Sequence, residues 1–196
     1  MSQIIIYNGR GSDKYSVYYT KKVLKTLGWY ANLDVICINE IILNNDDFTF
    51  NNCFLYVHPG GNAYEQLNAI GMNGSLKIRR YIDNGGKYIG ICAGTIIAAK
   101  KFYFLGDLVK HENSLCILQS VFGVQNVNKQ ITLDSNEKAI YYKSPNNIND
   151  HKIKIIDSFN KIPYIFIKNN CLFFFIHLEK INPTYFLTII IDFISN

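Results

Sequence analysis

Four short, unbroken apolar runs limit what this chain can fold into: Ile4-Ile5-Ile6-Tyr7, Val35-Ile36-Cys37-Ile38, Phe54-Leu55-Tyr56-Val57 and Tyr88-Ile89-Gly90-Ile91. None shows the in-out alternation of a strand with one wet face, so each suits a strand covered on both sides. The segments between them carry helical periodicity. Residues 15–27 put Val17, Val23, Leu24 and Leu27 on one face, with Gly28 expected as the stop, and a further helix is expected to end near Asn84-Gly85-Gly86. Strand-helix alternation with short turns is the pattern of an α/β protein with a mostly parallel sheet. After residue 102 the pattern changes to β-like runs at 139–142, 153–156, 162–167 and 172–176, with turns expected at Ser144-Pro145-Asn146-Asn147 and Lys168-Asn169-Asn170. Residues 185–194 close the chain as a helix started by Asn182-Pro183-Thr184.

Composition narrows the function. With 196 residues, 48% hydrophobic and 14% aromatic, the chain has the size and apolar content of one folded domain spanning 1–196 rather than of a disordered segment. Its five cysteines are scattered and without a C-x-x-C pair, which predicts neither a disulfide framework nor a metal site, and no cofactor is called for. A cytoplasmic location is expected, because the start has no basic region and no apolar run approaches the roughly 20 residues that span a bilayer. The net charge of +5 is spread out, with local groups only at Lys21-Lys22-Lys25 and Lys77-Arg79-Arg80, and these are expected to be a solvated face rather than a nucleic-acid patch.

Three motifs carry chemistry. Gly90-Ile91-Cys92-Ala93-Gly94 sets a cysteine between glycines where a buried strand meets a helix, the cysteine form of a nucleophile elbow. A thiol there meets unpaired backbone N–H groups that favour its thiolate, and the Ala93 N–H is placed to hold an oxyanion. His58-Pro59-Gly60-Gly61 follows another strand, so it should lie beside the elbow at the carboxyl ends of the sheet, with Gly61 as a second oxyanion donor. The run Phe173-Phe174-Phe175-Ile176 leads into His177-Leu178-Glu179. On an extended chain Glu179 shares a face with His177 and can orient it as a base. His58 is a competing base, whereas His111 and His151 stand in polar, loop-like surroundings.

These pieces, in this order, resemble the class I glutamine amidotransferase-like superfamily. Ile6-Tyr7-Asn8-Gly9-Arg10-Gly11, His58-Pro59-Gly60-Gly61-Asn62-Ala63 and residues 85–94 look most like the N-terminal domain associated with some biotin–protein ligases. The resemblance implies a flavodoxin-like fold with helices on both faces of the sheet. It also implies a Cys92-His177-Glu179 triad, an oxyanion hole from Gly61 and Ala93, and substrate contacts at Gly60, Asn62 and Gly94. A small-molecule amide substrate, or a partner synthetase or ligase, would follow. The alternative is a non-catalytic regulatory or partner-binding module of the same fold. Leu178 stands where the superfamily usually has proline, and Ala93 rather than histidine follows Cys92. Gly9-Arg10-Gly11-Ser12 is similar to the loop of true biotin ligases but fits a β–α turn better.

Overall fold

The computed structural model describes residues 2–104, 107–119, 121–123, 129–141, 145–148 and 152–196. In chain order the elements are β1 (Gln3–Tyr7), α1 (Lys14–Ala31), β2 (Asp34–Ile38), α2 (Glu40–Asn44), β3 (Cys53–His58), α3 (Ala63–Asp83), β4 (Lys87–Ile91) and α4 (Ala93–Ile97). Then follow β5 (Phe102–Phe104), β6 (Asp107–Val109), β7 (Val121–Gly123), β8 (Lys129–Thr132), β9 (Lys138–Tyr141), β10 (Pro145–Ile148), β11 (Lys154–Phe159), β12 (Ile162–Lys168), β13 (Cys171–Phe174), α5 (Leu178–Ile181) and α6 (Pro183–Ser195).

One seven-stranded sheet, ordered β11-β12-β13-β4-β3-β1-β2, organises the protein. Its five strands from β13 to β2 are mutually parallel, and β12 runs the other way, pairing antiparallel with both neighbours. Three of the four unbroken apolar runs, in β1, β3 and β4, lie in its interior beside β13, where Ile4, Ile6, Leu55, Tyr56, Val57, Ile89, Phe173 and Phe174 are completely buried. Each such side chain contributes about 1.5–3 kcal/mol relative to exposure. The fourth run forms the edge strand β2, in which Val35, Ile36 and Cys37 are half-buried, so the expectation of cover on both sides is corrected there. Helices α1, α5 and α6 pack together on one side of the sheet, and α2, α3 and α4 on the other. This is the α/β, flavodoxin-like architecture with helices on both faces. Beyond it, β10-β7-β5-β6 form a second sheet and β8-β9 a hairpin.

Two local expectations are corrected. Helix α1 does not stop at Gly28. It runs to Ala31 and ends on Asn32 in the left-handed region (φ 52°). Gly28 instead lets the next strand approach, since a Cβ there would lie 2.6 Å from the Leu33 carbonyl oxygen. The Pro145-Asn146-Asn147 stretch expected as a turn lies in strand β10, paired antiparallel with β7. The Asn-rich connection before β3 opens with α2, five residues too few for periodicity to register, capped by Asn39 Oδ1 accepting from the Ile42 N–H at 3.1 Å. Tyr142, Ser144 and His151 lie outside the described residues.

In the second basic group, two side chains bond backbone carbonyls. Lys77 Nζ donates to the Phe48 carbonyl at 3.2 Å and Arg79 Nη2 to the Ser114 carbonyl. Among the described residues, no helix is long and apolar enough to cross a membrane, and no three His, Cys, Asp or Glu side chains cluster as a metal site would require.

Candidate active site

The site assembles where three neighbouring parallel strands end. Register pairs His58 of β3 with Gly90 of β4, and Ile91 of β4 with Phe174 of β13. The residues that follow these strands, Pro59-Gly60-Gly61, Cys92 and His177, therefore emerge side by side, with the loop beside the elbow as expected for the carboxyl ends of parallel strands.

Cys92 sits at the elbow with φ 49° and ψ −102°, a conformation costly for a residue with a side chain. The flanking glycines make the turn sterically feasible. A Cβ on Gly94 would lie 2.0 Å from the His58 carbonyl oxygen, and one on Gly90 would lie 2.7 Å from the Gly94 oxygen. Hydrogen bonds hold the strained residue. The Cys92 N–H donates to the Phe174 carbonyl at 2.7 Å, the single Thr95 hydroxyl proton is shared between the Gly90 and Phe174 carbonyls, 2.8 and 2.9 Å from Oγ1, and Tyr88 OH donates to the Gly94 carbonyl at 2.7 Å. Helix α4 spans only five residues and Cys92 makes no side-chain cap, so the Ala93 N–H at its start has no capping partner.

In the loop after β3, Gly61 adopts φ 147° and bridges to Ser12. The bonds of this bridge run from the Asp13 N–H to the Gly60 carbonyl (2.9 Å) and from the Asn62 N–H to the Gly11 carbonyl (2.8 Å), leaving the Gly61 N–H outside the pair. Gly9-Arg10-Gly11-Ser12 is thus a β–α turn that braces the loop. Asn62 caps α3, its Oδ1 accepting from the Tyr64 and Glu65 N–H groups at 3.1 and 3.3 Å. Gly60 lies against His177, where a Cβ would be 2.5 Å from the ring's Cε1.

His177 and Glu179 meet, but not along an extended strand. His177 is the residue before α5 and Glu179 lies in that helix's first turn, from which Oε1 accepts from His177 Nδ1 at 2.7 Å. The strand ends at Phe174, so the face argument from residue spacing is corrected to a helical one. All three side chains are buried, Cys92 at 5%, His177 at 2% and Glu179 at 0% exposure. Burial alone would push the imidazole's pKa down. The Glu179 charge, together with a hydrogen bond and charge from Cys92, outweighs it and holds the value up at about 10.

The competing groups differ. His58 is buried, stacked on Tyr7 with ring centroids 4.4 Å apart, and its Nδ1 lies 3.1 Å from Tyr56 OH. Burial lowers its pKa to about 3, so it stays neutral and is not poised to act as a base near pH 7. His111 bonds Asn68 Oδ1 at 3.1 Å, away from the elbow. Burial pushes the Cys53 thiol up to about 11 and the Cys171 thiol to about 12.

Ser16, on α1, lies outside the three sequence motifs. Completely buried, its Oγ donates to Glu179 Oε1 at 3.0 Å and accepts from the Gly60 N–H at 3.0 Å. The signal was present in the spacing, because Ser16 and Thr20 extend the Val23, Leu24 and Leu27 face by one polar turn toward the site.

A sequence model described as "Biotin-protein ligase, N terminal" matches residues 2–113. An uncharacterized protein of Chlamydia muridarum is 29% identical over 105 residues, 54% of this chain but only 40% of its own length. Among solved structures, one titled as a glutamine amidotransferase superposes with a TM-score of 0.71 at 14% identity, covering 97% of this chain and 99% of the other. A glutamine amidotransferase from Thermotoga maritima gives 0.60 at 12% identity, covering 96% and 89%. PurLQS from the same organism gives 0.59 at 12%, covering 91% and 88%. At such identities the structures speak for the fold, while the sequence model spans more than half of the chain. The chain belongs to the biotin-protein ligase N-terminal family and has a class I glutamine amidotransferase-like fold.

Proposed function

We propose that this chain, acting as one domain over 1–196, is a thiol-dependent amidohydrolase or amidotransferase-like enzyme in which Cys92, His177 and Glu179 form the triad. The observation that carries the reading is the placement of the His177 ring between the Glu179 carboxylate and the Cys92 thiol, with its proton held to about pH 10. At neutral pH this arrangement favours a thiolate beside an imidazolium. Cys92 Sγ attacks the carbonyl carbon of a carboxamide, and the carbonyl π electrons move to oxygen. The N–H groups of Gly61 and Ala93 hold the resulting oxyanion. As the C–N bond breaks, His177 gives its proton to the leaving amine and a Cys92 thioester remains. Water then adds to the thioester while His177 takes its proton, and the carboxylic acid leaves as the thiolate re-forms. Gly60, Asn62 and Gly94 border the amide. Superposition on proteins titled as glutamine amidotransferases supports a carboxamide as the substrate class.

Reaction with iodoacetamide or an electrophilic glutamine analogue at neutral pH, read by mass spectrometry, tests the proposal. Cys92 should label faster than Cys37 or Cys116, even though Cys116 is exposed and Cys92 is buried. Equal or slower labelling of Cys92 would overturn the triad and favour a partner-binding module.

A further inference from the structure

Ser16 joins the two halves of the site. Glu179 orients the base, and the Pro59-Gly60-Gly61 loop would supply an oxyanion donor. No backbone hydrogen bond joins α5 directly to that loop in the described residues. The Ser16 hydroxyl spans them, since its one proton goes to Glu179 Oε1 and a lone pair takes the Gly60 N–H, each at 3.0 Å. The neighbouring contacts point the same way. Asp13, which caps α1, accepts from the Ser16 N–H at 2.6 Å, donates its own N–H to the Gly60 carbonyl at 2.9 Å, and lies 3.5 Å from Lys180 Nζ. Both ends of the Gly60 residue are therefore fixed by the first turn of α1, and its Cα is pressed on the His177 ring.

We infer that Ser16 is a positioning residue that sets the orientation of the Glu179-His177 pair and the direction of the Gly61 N–H through a single buried hydroxyl. The inference rests on the thiol-hydrolase reading above. It adds that base orientation and oxyanion stabilisation are coupled in this chain, and that the coupling is carried by α1 rather than by any triad residue.

Two probes of the full chain separate the roles. Iodoacetamide alkylates Cys92 by displacing iodide and needs only a reactive thiolate. p-Nitrophenyl acetate acylates Cys92 by expelling p-nitrophenolate through a tetrahedral oxyanion and needs the loop as well. Ser16→Ala should slow acylation by roughly 100-fold, the scale of losing one oxyanion donor, while slowing alkylation by less than about tenfold. Ser16→Thr, which keeps the hydroxyl, should restore most of the acylation rate. Thr20→Ala is the control, removing a buried hydroxyl one turn along the same helix face that hydrogen-bonds neither Glu179 nor Gly60. Thermal melting of each variant registers any general loosening.

If wild-type Cys92 reacts with both reagents and Ser16→Ala slows the two equally, or no more than Thr20→Ala does, the inference about Ser16 is overturned and the triad reading stands. If wild-type Cys92 shows neither selective alkylation nor acylation, the triad reading fails and the inference falls with it. A Ser16→Ala variant too unstable to assay shifts the decision to Ser16→Thr, where selective loss of acylation in a protein that melts normally would overturn the role of the hydroxyl.

Discussion

At the scale of the residue, the site turns on where one proton sits. Burial should strip His177 of its proton, yet the Glu179 carboxylate 2.7 Å away and the neighbouring Cys92 keep it there until about pH 10. The sign follows directly. With the folded value above the ordinary 6.5, His177 is cationic at neutral pH and loses its charge only as pH rises through 10. In the proposed ion pair Cys92 is the thiolate partner of this imidazolium, so its alkylation should stay nearly level from pH 7 to 9. A free-thiol peptide with a pKa near ~8.5 should speed up roughly 20-fold over the same range. Glu179→Gln removes the charge that opposes burial, so in that variant the Cys92 profile should regain a steep rise with pH. A Cys92 profile parallel to the peptide's in the wild type would exclude the ion pair. The pairing of His177 with Glu179 is legible in the sequence, but the way they meet is not. The His-x-Glu spacing fits a strand face or a helical first turn equally well, and nothing local says that β13 ends at Phe174.

At the scale of the element, the strands were the most legible part of the chain because burial in the sheet interior leaves an apolar run, although the same kind of run in β2 belongs to a half-buried edge strand. Parallel strands also end on one side, which puts the loop after β3 beside the elbow after β4, although the chain order of the runs does not give the sheet order, in which β1 lies between β2 and β3. What escaped was whatever depends on contacts distant in sequence. The polar Ser16 drew no notice because its partners are 44 and 163 residues away. Pro145 looked like a turn because its strand is defined by pairing with β7 rather than by its own composition. The elbow shows a local signal and a distant constraint acting together, for Gly94 is visible in the motif but its necessity comes from β3. Gly94→Ala would drive a Cβ to 2.0 Å from the His58 carbonyl oxygen, a backbone atom that cannot swing aside. We expect a loss of about 3 kcal/mol, the upper end of overpacking costs, and a melting temperature lower by roughly 6–12 °C. A change of less than about 2 °C by calorimetry would mean that β3 and the elbow are not in contact as described.

At the scale of the whole molecule, the family match and the sheet cover different lengths of chain. The matched residues, 2–113, contain β1 to β4, the elbow and the Pro59-Gly60-Gly61 loop. They do not contain β13, which pairs with β4 in the interior of the sheet, nor His177 and Glu179. Without the later segment, one edge of β4 loses its partner, and the face now covered by Phe173, Phe174, Phe186 and Ile190, all completely buried, is opened to water. Exposed apolar strand edges template association rather than a stable monomer. A fragment ending at residue 113 should therefore show no cooperative thermal transition and should aggregate, whereas the full chain melts in one transition. Its cysteines should also lose their distinctions, with Cys92 alkylated no faster than Cys37 because no imidazolium is present. Cooperative melting of the fragment would mean that β13 and the residues after it dock on a sheet that is already stable. Selective alkylation of Cys92 in the fragment would mean that the elbow activates its thiol without His177.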